Sequence, residues 1–352
     1  GVPRPEPAEK GAPWFDHGTD EGYRFFLDLG PLKNVNELHF EGEIPFWNAM
    51  VEHPNYDEFW QRRSIVPHLR NIGTNVLVVG GFYDAEDLYG PLSIYGAANA
   101  NDRDANVKLV MGPWSHGQWV RRNGERMGEA WFGFDTSAWY QEHVDLPWFV
   151  HHLKDGPEPD LPEALVFETG ADRWRRFDAW PPPVNERRLF VGPDGALGFE
   201  APNDAGHEEF VSDPDHPVPY TQEITTRWAR SYMTEDQRFA ARRPDVVTWR
   251  SEVLTEDVTI AGPITAELFV STDQRDADWV VKLIDEHPGE VDVEEEGPGG
   301  RMELVRGEIL RGRFRNSYEE PDPFEPGQVT RVDVPLQDVL HTFQRGHRIV
   351  VQ

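Results

Sequence analysis

Two ionisable side chains stand just beyond apolar, strand-like runs of the chain. Asp84 follows residues 75–79 and two glycines, and His116 follows residues 107–111. In open sheets, catalytic groups gather beyond the carboxyl ends of parallel strands, which meet at one edge. A carboxylate there accepts the imidazole Nδ1–H, sets its tautomer and stabilises the imidazolium formed during catalysis. We predict that Asp84 and His116 are the acid and base of a Ser-Asp-His triad.

The stretch between the two residues is typical of one crossover unit. Residues 85–100 predict a helix with Leu88, Leu92 and Tyr95 on one face, so strand, helix and strand form a right-handed βαβ unit. Position alone equally supports another interpretation, in which Asp84 caps a helix and His116 is a solvated loop histidine.

The nucleophile is missing from the sequence. No Gly-x-Ser-x-Gly occurs, Ser115 adjoins His116, and Ser64 and Ser93 lack flanking glycines. A serine beside the base cannot easily occupy the sharp strand-to-helix elbow that a serine nucleophile needs. We therefore expect the nucleophile before Gly1, in a longer protein of which these residues are a fragment cut at both ends.

Two more acids, Glu86 and Asp87, follow Asp84 closely. Acidic residues favour the first turn of a helix, which explains one of them. Carboxylates grouped this closely repel one another unless a cation lies near them. The pair therefore also predicts a pocket for a substrate ammonium group. Tyr83 and Trp114 are predicted to wall that pocket, although core packing is the commoner fate of aromatic residues.

Composition excludes several classes of function. The chain has 352 residues, a formal net charge of −29 and no cysteine. Such acidity disfavours nucleic acid and anionic membranes as partners, and the missing thiols exclude disulfides and thiolate metal sites. No membrane span is visible, and the cell compartment and oligomeric state, including a homo-oligomer, stay open. The acidity is consistent with salt adaptation or simply with an acidic soluble enzyme.

The hydrophobic pattern changes twice along the chain. Residues 1–65 are aromatic-rich and partly helical. In residues 66–160, apolar strand-like runs alternate with helical patterns, as in an α/β domain. Residues 161–352 contain short runs of alternating polar and apolar residues between turns. Alternation predicts strands with one wet face, hence a β-sandwich. The runs assigned to it include 164–168, 188–191, 264–270, 279–284, 302–305 and 329–334. The acidic run 290–296 fits a solvated hairpin loop, and its spacing matches no known calcium loop.

Specific segments of the chain resemble the group of α-amino acid ester hydrolases and glutaryl-cephalosporanate acylases. This group is related to cocaine esterase and the X-Pro dipeptidyl-peptidases. The resemblance extends over nearly the whole chain from Gly22, and its most specific parts are the two motifs around Asp84 and His116. The segments that carry it are Gly81–Gly90, Gly112–Gly117, Pro162–Gly170, Trp174–Pro182, Ala261–Ile264 and Asp278–Asp285.

The resemblance implies a fold that is α/β plus all-β. It places a partial helical cap in 1–65, the C-terminal half of an α/β-hydrolase domain in 66–160 and a truncated jelly-roll β-sandwich in 161–352. It assigns Asp84 as triad acid and His116 as triad base. Glu86 and Asp87 match an Asp-x-Glu-Asp pattern in which the last two residues bind the substrate's α-ammonium. The serine nucleophile, the oxyanion-hole tyrosine and a third ammonium-binding carboxylate would lie upstream.

The predicted function of the parent protein is that of a serine hydrolase. It would cleave esters or amides of α-amino acyl groups through an acyl-enzyme, acting on a small molecule or short peptide without metal or organic cofactor. One alternative is an X-Pro dipeptidyl-peptidase that binds a peptide N-terminus through the same acids. Another is a carbohydrate- or ligand-binding protein on a degenerate hydrolase scaffold.

Overall fold

A computed structural model describes residues 15–102, 104–203, 206–289 and 300–352. The acidic run 290–296 lies outside these residues. The α-helices are α1 Gly22–Leu29, α2 Pro45–Glu52, α3 Glu58–Gln61, α4 Tyr89–Asn101, α5 Gln118–Arg121, α6 Thr136–Tyr140, α7 Leu146–Lys154 and α8 Arg238–Ala241. Single π-helical segments cover Asn36–Phe40 and Gln141–Asp145, and 3₁₀ turns cover Val66–His68, Pro193–Gly195, Arg230–Thr234 and Gly312–Phe314.

The strands fall into a mixed sheet, two antiparallel sheets that form a sandwich, and two short hairpins. Their bounds are β1 Val76–Gly81, β2 Val107–Gly112, β3 Arg126–Met127, β4 Ala130–Trp131, β5 Ala164–Glu168, β6 Arg173–Phe177, β7 Phe190–Val191, β8 Leu197–Gly198, β9 Trp249–Arg250, β10 Val258–Val270, β11 Asp278–Glu286, β12 Met302–Arg311, β13 Thr330–Phe343 and β14 Arg348–Val351.

The mixed sheet has the order β1-β2-β5-β6, with β1, β2 and β5 parallel and β6 antiparallel to β5. Helix α4 links β1 to β2, which confirms the predicted βαβ unit. This helix packs Leu88, Leu92 and Tyr95 with the apolar side chains of β1 and β2 in one core cluster. It begins four residues later than predicted because residues 85–88 form a turn held by Asp84.

Residues 136–154 form three consecutive helical segments: α6, a π-helical segment and α7. The sequence after Lys154 ends the last of them. Asp155 adopts the left-handed conformation (φ 52°), and the Gly156 N–H donates to the Val150 carbonyl at 3.1 Å. The following Pro157 cannot donate to the helix, so the chain leaves it there.

Strand β5 differs from the prediction. Residues 164–168 were expected to form a sandwich strand with one wet face, but every residue of β5 is buried and the strand pairs in parallel with β2. That expectation is wrong because helices and neighbouring strands cover both faces of a parallel sheet. The mixed sheet therefore continues to Phe177, past residue 161.

The remaining long strands form two antiparallel sheets, β10-β13 and β12-β11-β14-β9. Apolar side chains from both sheets share two core clusters, so the sheets pack face to face. Strand β10 alternates inward and outward side chains along its length, as expected for a strand with one wet face. We call these two sheets the β-sandwich.

The mixed sheet and the β-sandwich are joined through β5 and β13. Thr169, directly after β5, donates its N–H to the Leu340 carbonyl at 3.0 Å and accepts the Thr342 N–H at 2.9 Å. Glu168, which is fully buried, accepts the Thr342 hydroxyl at 2.6 Å. The two parts of the chain thus share hydrogen bonds as well as apolar surface.

Residues 15–65 are partly helical, as expected, but they are thinly packed. Helices α1 to α3 bury few side chains, and Phe26, Leu32 and Leu38 are each more than half exposed. No helix among the described ranges is both long and apolar enough to cross a membrane.

A buried ionic cluster lies inside the β-sandwich. Asp285 is 2% exposed, and its oxygens accept from His341 Nε2 at 3.2 Å and His347 Nδ1 at 2.8 Å. The Thr169 hydroxyl bonds to the other ring nitrogen of His341 at 2.8 Å. Burial raises the pKa of Asp285, but the hydrogen bonds from the two histidines outweigh it and lower the pKa to about 2.

We predict that Asp285→Asn lowers the free energy of unfolding by about 3 kcal/mol at neutral pH, because it removes a buried carboxylate that two histidines hold by hydrogen bonds. The folded-state pKa lies below the ordinary 3.8, so the carboxylate stabilises the fold above that value. Its contribution disappears as pH falls from 3.8 towards about 2, and the difference between variant and wild type should shrink over that window. Urea unfolding at several pH values measures this.

Asp333→Asn is the matched control. Asp333 is 45% exposed and pairs with Arg331 at 2.8 Å, so its loss should change stability by less than about 0.5 kcal/mol. Equal effects of the two substitutions would contradict a stabilising role for the buried cluster.

Candidate functional site

The parallel pairing of β1 and β2 continues past both strands and brings the candidate residues together. The Phe82 N–H donates to the Gly112 carbonyl at 2.9 Å, and the Tyr83 N–H donates to the Trp114 carbonyl at 3.1 Å. These bonds keep the two chain segments side by side until Asp84 is reached.

Gly81 makes this close approach possible. A Cβ atom at this position would lie 2.1 Å from the Trp114 carbonyl oxygen, which no side chain can tolerate. The glycine in the motif therefore serves packing between the two segments.

Asp84 and His116 form a direct hydrogen bond. His116 Nδ1 lies 2.9 Å from Asp84 Oδ2. Asp84 is 4% exposed, whereas the His116 side chain is 38% exposed, so the carboxylate is shielded and the imidazole can meet a reactant. Within the described part of the chain, His116 Nε2 has no hydrogen-bond partner. This contact is the one that the predicted triad acid and base require, and their catalytic roles stay a prediction.

The second oxygen of Asp84 organises the turn that follows. Oδ1 accepts the backbone N–H of Glu86 at 2.9 Å and that of Asp87 at 3.0 Å. Asp84 does not cap α4, whose N-cap is Leu88, because Oδ1 binds the turn before the helix while Oδ2 holds His116. Three hydrogen bonds fix the orientation of this carboxylate.

Glu86 and Asp87 are both exposed on this turn. Asp87 Oδ1 accepts the Gly90 N–H at 2.9 Å, so this residue also stabilises the start of α4. The Glu86 carboxylate makes no hydrogen bond within the described ranges, so the fold gives it no structural partner. The turn thus presents two negative charges within three residues of Asp84.

Tyr83 and Trp114 require a correction. Trp114 is fully buried, and its indole Nε1–H donates to the Thr136 hydroxyl at 2.9 Å. Tyr83 is 3% exposed, and burial raises the pKa of its hydroxyl well above the ordinary value. Both rings lie in core clusters behind the site and do not wall a pocket, because each backbone pairs at a strand end with its side chain directed inward.

Ser115 is held away from the base. It is 9% exposed, and its hydroxyl donates to the Gln118 Oε1 at 3.2 Å. The same oxygen accepts the Ser115 N–H at 2.9 Å. This arrangement agrees with the sequence argument that Ser115 is not the nucleophile.

Sequence analysis missed Arg306, which reaches the site from β12. Its Nη1 donates to the Phe82 carbonyl at 2.8 Å, two residues before Asp84. The available signal was an arginine two positions after Leu304, at an inward position of an alternating strand. A charge at such a position indicates a specific buried partner, but not which one.

One group of side chains could hold a cation. Asp285, His287 and His347 each offer a ligand atom, and these atoms lie within 4.8 Å of one another. Both oxygens of Asp285 already accept hydrogen bonds from histidines, so the carboxylate is satisfied without an ion. We assign no metal to this group.

Comparison with known families gives two matches. Residues 159–352 match the family model of the X-Pro dipeptidyl-peptidase C-terminal non-catalytic domain. Residues 22–118 match the X-Pro dipeptidyl-peptidase (S15 family) model, which includes both Asp84 and His116.

Individual proteins give consistent similarities. Cocaine esterase from Rhodococcus sp. (strain MB1 Bresler) is 30% identical over 319 residues, covering 87% of this chain and 52% of the esterase. The crystal structure of an aminopeptidase from the marine sediment archaeon Thaumarchaeota archaeon superposes with a TM-score of 0.90 at 38% identity, covering 97% of this chain and 57% of the aminopeptidase.

The structure of an α-amino acid ester hydrolase superposes with a TM-score of 0.88 at 33% identity, covering 94% of this chain and 56% of the hydrolase. The chain thus spans little more than half the length of these relatives. Because a family model matches more than half of the chain, the chain belongs to the CocE/NonD-type hydrolase family of X-Pro dipeptidyl-peptidases and related serine esterases.

Proposed function

We propose that this chain supplies the acid and base of a serine hydrolase that cleaves esters or amides of α-amino acyl groups through an acyl-enzyme. The observation that carries the proposal is the 2.9 Å contact between a shielded Asp84 and an accessible His116. A helical cap in the N-terminal segment and a jelly-roll topology for the β-sandwich are part of the same proposal.

His116 performs both proton transfers. With Nδ1–H donated to Asp84, the free Nε2 accepts the proton of a serine hydroxyl as that oxygen attacks the substrate carbonyl. The imidazolium then returns the proton to the leaving alcohol or amine. Asp84 keeps the ring in the reactive tautomer and stabilises its charged form. A water molecule repeats the cycle to release the acyl group.

The serine comes from residues outside this chain. No Gly-x-Ser-x-Gly occurs in the 352 residues, and Ser115 is committed to Gln118. The family relatives are almost twice as long as the portion this chain matches, which leaves room for a nucleophile and an oxyanion hole elsewhere. The exposed face of His116 is where that serine would approach.

Glu86 and Asp87 select substrates that carry an α-ammonium group. Both carboxylates are exposed on the turn that Asp84 holds, and Glu86 has no structural partner among the described residues. Two anions near a cationic group stabilise it by Coulomb attraction that strengthens as water is excluded. The similarity to an aminopeptidase and to an α-amino acid ester hydrolase supports a substrate with a free amino group.

An X-Pro dipeptidyl-peptidase is the second candidate. The names of both matching family models favour it, and a peptide N-terminus would present the same ammonium group to Glu86 and Asp87. Comparing kcat/KM for Xaa-Pro amides with that for phenylglycine esters separates the two candidates.

A fluorophosphonate probe tests the position of the nucleophile. The full-length protein should be labelled on one serine, and mass spectrometry should place the labelled peptide outside residues 1–352. The 352-residue chain alone should not react. Labelling of Ser115 or any other serine of this chain would show that the nucleophile has been wrongly placed.

Asp84→Asn tests the triad acid in the full-length protein. We expect kcat to fall by about 10⁴-fold while KM stays within about twofold, since the wrong tautomer of His116 would then face the serine. Asp102→Asn is the control, because Asp102 accepts the Ile72 N–H at the far end of α4 and contacts no candidate residue. Near-normal turnover of Asp84→Asn would refute the triad.

Glu86→Gln combined with Asp87→Asn tests ammonium recognition. The amide at position 87 can still accept the Gly90 N–H, so α4 should keep its start. We expect KM for α-amino esters to rise at least about tenfold, corresponding to about 1.4 kcal/mol of lost binding. Esters without an amino group should be hydrolysed as before. A similar loss for both kinds of ester would mean that the acids are structural.

A further inference from the structure

Arg306 connects the β-sandwich to the turn that carries Asp84. It lies on β12, is 2% exposed, and extends from the sandwich towards the end of β1. Nη1 donates to the Phe82 carbonyl at 2.8 Å, and Nη2 donates to the Asp338 carbonyl at 3.3 Å. The guanidinium also lies 5.9 Å from the centre of the Phe82 ring.

The cation is not part of an ion pair within the described residues. Its recorded hydrogen bonds go to backbone carbonyls, and the nearby Asp338 carboxylate accepts the Trp180 indole N–H at 2.6 Å instead. Burial lowers the pKa of Arg306 to about 10, so it stays charged at neutral pH. The carboxylates of Glu308 and Asp338 favour the charged form without pairing with it, so the directed contacts of the guanidinium are those to backbone carbonyls.

The Phe82 peptide is held from both directions. Its N–H donates to Gly112 on β2, and its C=O accepts from Arg306 on β12. The next residue, Tyr83, is bound to the Trp114 carbonyl. The only side-chain donor to this backbone stretch among the described contacts therefore comes from the β-sandwich.

The geometry points to Arg306 as a positioning residue that fixes the Phe82 carbonyl and thereby places the Asp84 carboxylate against His116. This inference rests on the proposed triad, but it assigns to the β-sandwich a part in catalysis. Arg306 touches neither substrate nor the reacting atoms and acts through the Phe82–Asp84 backbone.

Arg306→Met should loosen the Asp84–His116 contact without removing either group. A displacement of about 1 Å at a catalytic group can cost about 10²-fold, so we expect kcat to fall ten- to hundredfold while KM changes less than about twofold. The hydrogen bond between His116 Nδ1–H and Asp84 should weaken in this variant, and the Nδ1–H proton resonance should move upfield in the NMR spectrum. Arg306→Lys, which can still donate to one carbonyl, should recover part of kcat.

Arg315→Met is the matched control in the full-length protein. The Arg315 side chain is only 9% exposed, pairs with Asp322 at 2.7 Å, and makes its described contacts within residues 312–324. It should lower the melting temperature without moving the His116 Nδ1–H resonance. If Arg306→Met and Arg315→Met lose the same activity and neither moves that resonance, Arg306 is merely structural and the inference fails.

The Nδ1–H proton resonance of His116, assigned with His116→Gln, separates this inference from the proposed function. An upfield shift of this resonance in Arg306→Met supports positioning even if the wild-type protein hydrolyses no ester, in which case the proposed function alone fails. An unchanged resonance overturns the inference whatever the activity. Should Arg306→Met fail to fold, Arg306→Lys carries the same comparison.

Discussion

The parallel register of β1 and β2 is the constraint on which the site depends. Gly81 pairs with Gly112, and the backbone bonds of Phe82 and Tyr83 carry the pairing beyond both strands. A slip of one residue between the strands would break both backbone bonds and move the turn that carries Asp84 away from the imidazole. The glycines at the strand ends keep the two segments close enough for a direct hydrogen bond.

Asp84 then divides its two oxygens between structure and chemistry. Oδ1 folds the turn that presents Glu86 and Asp87, and Oδ2 holds His116. The turn that presents the two acids and the contact with the imidazole thus both depend on one carboxylate. Because Asp84, Glu86 and Asp87 lie so close together in the chain, the motif can be recognised in a short stretch of sequence.

Local signals were sufficient for the central part of the fold and for the contact between Asp84 and His116. The apolar runs of β1 and β2 and the spacing of α4 predicted a βαβ unit, and sheet geometry then placed Asp84 near His116. Local signals failed where distant segments decide burial. Strand β5 is covered on both faces, Trp114 packs inward, and Arg306 acquires its partner from a residue more than two hundred positions away.

The shared hydrogen bonds between the mixed sheet and the β-sandwich also constrain protein engineering. Separating the two halves would strip Glu168 of the Thr342 hydroxyl, leave Thr169 without its β13 backbone partners, and expose the Trp180–Asp338 bond to water. Chimeras that exchange the β-sandwich between relatives should therefore take β5 and β13 from the same parent. A recombination point in the turn between β5 and β6 would take these two strands from different parents.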